Sequence, residues 1–424
     1  MLEFLSYLII IFGSFNLIRL GILMIGVDIH DIKSSRTSRQ NKAGSPWISI
    51  IVPAYNEELG ITRCLASLSA NSYAHMEVIV VNDGSKDATA KRVASYQRKT
   101  RGSFNLRLIN QKNSGKAAAI NNGVSHAKGS LVMVLDADSI LAPDAIAEVP
   151  RYFQDKKILL AAANVKIIDD GRILSTVQRY EYLISYRSKK ALNTYNMEYI
   201  VGGVGSTFRK HIFKKVRGYD TDTMTEDIDF TLKVLQLGNR ERIVSYMPTV
   251  RAYTEGVLNL SDLIKQRYRW KYGRMQSFLK NRNMFFNAQR KYDKRLTFLQ
   301  LPYALWAEII FSLEPILIAY FLVIIAIYGD LATLASAYSV TTGFILWNVV
   351  MDDSETRRSK FRLIPLALLQ YPLFFILAMV EYVALAKSIG KIHKLKSSLK
   401  QGHGAWEHVT RAAESTITSL PKLQ

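Results

Sequence analysis

The stretch Leu131-Val132-Met133-Val134-Leu135-Asp136-Ala137-Asp138 decides the fold. Five apolar residues in succession, closed by two acids, read as a short strand buried on both faces. Similar apolar runs precede it at Trp47–Pro53, Glu77–Val81 and Leu106–Asn110. Helix patterns separate them across Gly60–Asn71, Asp87–Arg98 and Gly115–Ala127. Continuous apolar strands alternating with helices predict a parallel sheet covered on both faces. Ligands of such sheets sit beyond the carboxyl ends of the strands. Tyr55-Asn56-Glu57, Asp83-Gly84 and Asp136-Ala137-Asp138 all fall at those ends. Residues 141–260 are less regular, with a helix expected across Thr176–Asn193.

Outside this region the chain changes character. The 424 residues are 49% hydrophobic and carry a net charge of +21, an unusual pairing that segregation explains. Residues 1–27 and 299–389 are mostly apolar, and four stretches are candidate membrane spans: 4–27, 301–328, 332–351 and 363–387. Glu308, Glu314 and Pro315 interrupt the second, and charges at membrane depth usually face a protein interior or a water-filled path. The basic runs Lys33–Lys42, Arg290–Arg295, Arg357–Arg362 and Lys387–Lys400 flank the apolar segments. That placement favours the cytoplasmic flanks of a membrane protein over a nucleic-acid binder. It also sets the N-terminus outside and residue 33 onward in the cytoplasm. A parity problem follows, since one span before the cytoplasmic domain and three after it would leave the basic tail outside. Cys64 is the only cysteine, which excludes an intrachain disulfide and argues against a cysteine metal site.

Several acids stand where chemistry is expected. Residues i and i+2 of a strand point to one side, so Asp136 and Asp138 can converge on one hard cation, Mg2+ or Mn2+, shared with a diphosphate. Asp83, in the loop Asn82-Asp83-Gly84-Ser85, and the trio Tyr55, Asn56 and Glu57 are placed to frame a nucleotide. Lys116 follows Gly115 at a helix start, where amides and an ammonium group meet phosphate. Thr225-Glu226-Asp227 opens another helix pattern, and an acid there suits a base that deprotonates an acceptor hydroxyl. Plainer readings exist for each: a turn at Asp83, a solvated lysine at Lys116, an ordinary helix start at Thr225. Residues 261–298 carry aromatic, basic and apolar residues at helical spacing, which reads as amphipathic helices on a membrane surface. Within them Gln266, Arg269 and Trp270 sit three and four apart, sharing one helix face. Arg269 is suited to a leaving diphosphate and Trp270 to stacking on a sugar ring.

The order Asn-Asp-Gly-Ser, Asp-x-Asp, Thr-Glu-Asp, Gln-x-x-Arg-Trp, then apolar helices, resembles the processive, membrane-embedded inverting glycosyltransferases of family 2. Within that family the block Val201–Lys210, followed by Gly218-Tyr219-Asp220-Thr221-Asp222, is most similar to synthases of poly-β-1,6-N-acetylglucosamine. The resemblance runs from Ile48 to the last apolar stretch. It implies an α/β GT-A fold, Rossmann-like with a mostly parallel sheet, facing the cytoplasm and joined to transmembrane and interfacial helices. Expected boundaries are a membrane helix at 1–30, the catalytic domain at 45–260, interfacial helices at 261–298, membrane helices at 299–389 and a basic tail at 390–424. It further implies that Tyr55, Glu57, Asp83, Lys116, Asp136 and Asp138 bind the donor, and that Asp138 and Asp136 hold metal. Asp227 would be the base, assisted by Glu226 and Asp138; Gln266, Arg269 and Trp270 would serve acceptor and diphosphate. The partners implied are a UDP-sugar, best matched by UDP-N-acetylglucosamine, a growing polysaccharide, membrane lipid and a small accessory membrane subunit, in a bacterial inner membrane; no nucleic acid is expected. Two departures matter: Val204 stands where cellulose synthases have Cys, and Thr-Glu-Asp replaces the Gly-Asp-Asp of hyaluronan synthases. The alternative is a transferase that moves a single sugar onto a membrane lipid, as ceramide glucosyltransferases do. A third reading, a basic membrane protein without activity, predicts damaged acids, yet Asp83, Asp138 and Asp227 are intact.

Overall fold

The structure, a computed structural model, describes residues 2–37, 45–102, 104–310, 314–329, 331–353, 355–395, 397 and 399. After helix α1 (Leu2–Thr37) the chain builds one eight-stranded sheet: β1 (Ile48–Ala54), β2 (Met76–Asp83), β3 (Leu106–Gln111), β4 (Leu131–Val134), β5 (Ile140–Leu141), β6 (Leu160–Ile167), β7 (Ser206–Arg209) and β8 (Val244–Thr254). Their order across the sheet is β3-β2-β1-β4-β7-β6-β8-β5. The intervening helices are α2 (Ile61–Ser69), α3 (Thr89–Lys99), α4 (Lys116–His126), α5 (Ala145–Tyr152), α6 (Ile173–Thr194), α7 (Lys210–Lys215), α8 (Glu226–Leu235) and α9 (Leu260–Lys280). The chain then runs through α10 (Leu301–Ile310), α11 (Glu314–Tyr328), α12 (Leu331–Val350), α13 (Arg357–Leu366) and α14 (Gln370–Gly390).

Period-two patterning builds the core. Ile48, Ile50 and Val52 of β1 join Leu131 and Met133 of β4 in the cluster on one face of the sheet. Ile51 joins Val132 and Val134 in the cluster on the other. Alternate side chains of a strand point to opposite faces, so strands without a polar stripe must be covered twice. Each fully buried aliphatic contributes roughly 1.5–3 kcal/mol. β1 pairs in parallel with β2 and β4, and β2 with β3, as the apolar runs predict.

The second half differs from a uniformly parallel sheet. β7 runs antiparallel between β4 and β6, and β5 is antiparallel to β8, although β6 and β8 are parallel. Behind β7, Phe208, Phe213, Tyr219 and Phe230 form an aromatic cluster, with Tyr219 and Phe230 stacked at 4.2 Å. This cluster seats α8 against the sheet.

The C-terminal apolar part is more broken than the sequence predicts. The stretch 301–328 is divided between α10 and α11, and 363–387 contains a 3-10 turn at Ala367–Leu369 between α13 and α14. Residues 261–298 form one long helix, α9, then a 3-10 turn at Arg282–Met284, turns, and the start of a π-helical segment, Arg295–Gln300, that leads into α10. Among the described residues one segment, Leu373–Gly390, is long and apolar enough to cross a membrane by length and composition, and Ile318–Tyr328 is a shorter apolar helix. The expected tail at 390–424 lies largely outside the described residues.

Candidate active site

A cleft of about 880 Å³ opens at the carboxyl ends of β1 and β4. It is large enough for a nucleotide-sugar and part of an acceptor. Tyr55, Glu57, Lys116, Asp136, Asp138, Glu226, Asp227, Gln266, Arg269 and Trp270 all line it. Residues as far apart in sequence as Tyr55 and Trp270 thus border one cavity.

Asp83 is placed differently. It is fully buried and does not line the cleft; its carboxylate accepts hydrogen bonds from Gln111 Nε2 (2.7 Å), Ser114 N (2.9 Å) and Gly115 N (2.8 Å). In this structure it holds the turn that starts α4 and so positions Lys116. Asn56 likewise braces the neighbouring loop, its Oδ1 accepting from Lys86 N at 2.8 Å.

The cleft's polar centre is an interlocked set of charges. Lys116 Nζ lies 2.6 Å from Asp136 Oδ1 and 3.4 Å from Glu226 Oε1. Burial works against the ammonium group, but Asp136, Glu226 and Asp227 more than offset it, and the lysine is held well above its ordinary range. Asp227 accepts a hydrogen bond from Gly203 N at 2.9 Å and from its own helix at Ile228 N at 2.8 Å. Burial, then the neighbouring Glu226 carboxylate, lifts Asp227 to about 6, while Lys116 pulls in the opposite direction. Gly203 threads between these groups: a Cβ there would stand 3.1 Å from Lys116 Nζ and 3.7 Å from Asp136 Oδ1.

Asp138 borders the cleft, with Oδ1 accepting from Ser139 Oγ at 3.0 Å. An all-oxygen donor set of this kind fits Mg2+ or Mn2+. The Lys116 contact at Asp136 makes Asp138 the better ligand of the two. A second acidic group, Asp220, Asp222 and Asp229, gathers nearby without lining the cleft itself. Lys280 Nζ sits among them, 2.7 Å from Asp222 and 3.2 Å from Asp229, and Lys233 Nζ lies 2.6 Å from Asp220, so two ammonium groups offset part of the charge of three carboxylates.

Helix α9 carries the last third of the site. Asn259 caps it by accepting from Asp262 N at 2.9 Å. Its C-terminal half grips the acid helix: Gln276 Oε1 accepts from Met224 N (3.0 Å), and Asn281 Nδ2 donates to Asp229 (2.8 Å). Gly273 permits the contact, since a Cβ would stand 2.7 Å from Thr225 Cγ2 and 2.9 Å from its backbone N. Its N-terminal half is held by charge. Arg267 forks onto Glu181 of α6 at 2.7 and 2.5 Å, and its guanidinium lies 4.5 Å from the Trp270 ring. Lys271 bridges Glu308 of α10 and Glu381 of α14, each at 2.8 Å, and Arg274 also pairs with Glu308. Glu308, an expensive charge in an apolar stretch, is therefore compensated inside the protein.

Sequence reasoning misses several lining residues. Gln178, Glu181, Tyr182, Ser185, Tyr186 and Lys189 of α6 face the cleft. Their three-four spacing is the signal that could have found them. Arg63 of α2 pairs with Glu255 beyond β8 across the same cavity.

Residues 49–217 match the family described as Glycosyl transferase family 2. This part of the chain is similar to family 2 glycosyltransferases. Over a longer stretch, curated proteins described as poly-beta-1,6-N-acetyl-D-glucosamine synthase are similar. One from Staphylococcus aureus (strain COL) is 32% identical over 273 residues, 62% of this chain and 63% of the relative. One from Staphylococcus epidermidis is 29% identical over 299 residues, 69% of each chain. The chain thus spans a little under two thirds of the length of the first of these. Among solved structures, a mannosyltransferase from Pyrobaculum calidifontis in complex with GDP-Man and Mn2+ has a TM-score of 0.55 at 20% identity, covering 87% of this chain and 98% of its own. The likeness identifies a GT-A-like fold.

Proposed function

We propose that this protein is an inverting glycosyltransferase that polymerises N-acetylglucosamine from UDP-N-acetylglucosamine into a β-linked exopolysaccharide, and that its apolar helices carry the product across a membrane. The observation that carries the reading is Asp227: a buried acid raised to about 6, held on the Gly203 amide, opening on a cleft that also contains Lys116, Asp138 and Trp270. The poly-N-acetylglucosamine synthases it resembles supply the choice of sugar.

In this reading the acceptor sugar stacks on Trp270, whose ring Arg267 pins from one side. Asp227 takes the proton from the acceptor hydroxyl as that oxygen attacks the anomeric carbon. The bond to the diphosphate breaks on the opposite face, so configuration inverts and UDP leaves. Lys116 and Arg269 offset the charge that develops on the leaving oxygens. Asp138, with Asp136 beside it, would hold Mg2+ or Mn2+, which supplies further charge neutralisation at the diphosphate. Asp83 contributes by fixing the Ser114-Gly115 turn from which Lys116 projects.

The test uses membranes containing the protein, Mg2+ or Mn2+, and a panel of labelled UDP-sugars, with products separated by size and by solubility in organic solvent. Label from UDP-N-acetylglucosamine in a large water-phase product is expected, and Asp227→Asn should remove it. Label confined to a small organic-soluble product would replace polymer synthesis with single transfer to a lipid.

A further inference from the structure

We propose that α14 lies in the plane of the membrane surface, clamped between the lipid and the catalytic domain, and does not cross the bilayer. The inference rests on the membrane part of the proposed function. Composition alone points the other way, because Leu373–Gly390 is the described segment that satisfies the criteria for a span.

Contacts along the helix decide against crossing. Leu373, Leu377 and Val380 pack with Val177 of α6, with Val257, and with Leu263 of α9. The Phe374 ring lies 6.4 Å from that of Tyr180 on α6. Glu381 is 2.8 Å from Lys271 and 3.5 Å from Arg267, both on α9. Just beyond the helix, Lys391 Nζ lies 4.9 Å from the Tyr268 ring, again on α9. From Leu373 to Lys391 an α-helix covers about 27 Å, close to the full thickness of a bilayer's hydrocarbon core. A helix in contact with α6 and α9 over that length can cross only if α9 crosses beside it. α9 has seven charged residues among its 21 and is buried against the catalytic domain at Gln276 and Ser277. Such a helix does not enter hydrocarbon.

The remaining surface of α14 is suited to an interface. Val380, Ala384 and Ser388 are buried in protein, whereas Phe375, Met379, Tyr382 and Ile389 point outward. The preceding segment adds Phe361, exposed at 80%, and Leu368 and Leu369. Arg357, Arg358, Lys360, Lys387 and Lys391 lie among them in sequence. Outward apolar side chains rimmed by cations match the boundary between acyl chains and anionic headgroups. The connection before α13 is likewise on the catalytic side, for Lys166 at the end of β6 binds Asp352 (3.1 Å) and Glu355 (3.0 Å). With α12 ending there and α14 never leaving, the parity problem disappears, and Lys391 and Lys394 stay on the cytoplasmic side as the positive-inside rule requires.

The experiment places single cysteines in the full chain, whose one native thiol, Cys64, is buried. Lys99→Cys reports the catalytic domain, Tyr328→Cys the end of α11, and Lys394→Cys the far end of α14. All three positions are exposed. Sealed inside-out membrane vesicles are treated with a membrane-impermeant maleimide before and after permeabilisation. Cysteines 99 and 394 are expected to label at once, and 328 only after permeabilisation. Should Lys394→Cys fail to accumulate, Ser397→Cys takes its place. Labelling at 394 that requires permeabilisation, as at 328, overturns the proposal. Immediate labelling at 328 removes any span between the domain and that turn, so the membrane reading falls and this inference with it. Sugar transfer is measured on the same vesicles, so failure of the glycosyltransfer reading registers separately.

Discussion

Asp227 shows how one side chain can be tuned by burial and two charged neighbours. Burial and Glu226 raise it to about 6, and Lys116 opposes them. A base must be ionised, so kcat at saturating donor should climb with pH through about 6 and level off above it. Glu226→Gln removes a charge that disfavours ionisation, so the half-rise should move to lower pH. Lys116→Met removes a favourable charge and should move it higher while also weakening the diphosphate site. If neither variant moves the limb, a group other than Asp227 sets it. Asp227→Asn should cost about 10²–10⁴-fold in kcat, the usual range for a general base, with UDP binding nearly intact. At this scale the acids of the site were legible, because Asp136 and Asp138 close a strand and Asp227 opens a helix. Their mutual contacts were not: the ion pairs that join Lys116 to Asp136 and Glu226 depend on the folding of three separate elements. The internal use of Asp83 was equally invisible, since buried and ligand-facing acids in a loop look alike in sequence.

Among the elements, β1 to β4 and α2 to α4 could be read from alternating apolar runs and helical spacing. β7 and β5 could not. They are four and two residues long, too short for a period to register, and β7 pairs antiparallel to the strands beside it. The amphipathic pattern of α9 was plain, but its clamps were not, because Arg267 and Lys271 find their carboxylates 86 and 37 residues away. The tightest of the clamps is steric. Gly273→Ala places a Cβ against the Thr225 backbone, which cannot yield as a flexible side chain would. Overpacking of this kind costs about 1–3 kcal/mol. A lowered thermal midpoint together with a fall in kcat is expected, because the shifted residue adjoins Glu226 and Asp227. A variant with an unchanged midpoint and full activity would show that α9 and α8 are not in close register.

For the molecule as a whole, the seam between the catalytic domain and the C-terminal helices combines apolar packing with buried ion pairs. Lys166 is 7% exposed and faces two carboxylates. Removing the lysine takes away part of the compensation of two buried carboxylates, at a cost of up to roughly 3–5 kcal/mol; Arg179 still faces Glu355. Lys166→Met should therefore loosen the 351–359 connection, seen as faster cleavage there in limited proteolysis while the sheet remains protected. Chelation should abolish transfer, and Mg2+ or Mn2+ should restore it; activity unaffected by chelator would remove metal from the proposed donor site. The large division into an α/β domain and an apolar C-terminal part was legible from segregated composition. The seating of that part was not, since hydropathy reports length and apolarity and is blind to which neighbour a helix chooses.

The lysine shared by Asp136 and Glu226 has a consequence for timing. One ammonium group cannot serve two carboxylates and an incoming diphosphate equally. When the donor arrives and draws Lys116 toward its phosphates, Glu226 loses compensation and the acid beside it becomes more basic. An acceptor that enters an empty cleft meets a weaker base than one that enters after the donor. The site is thus a latch that arms in one direction, and initial-rate kinetics should show compulsory order, with the nucleotide-sugar binding first.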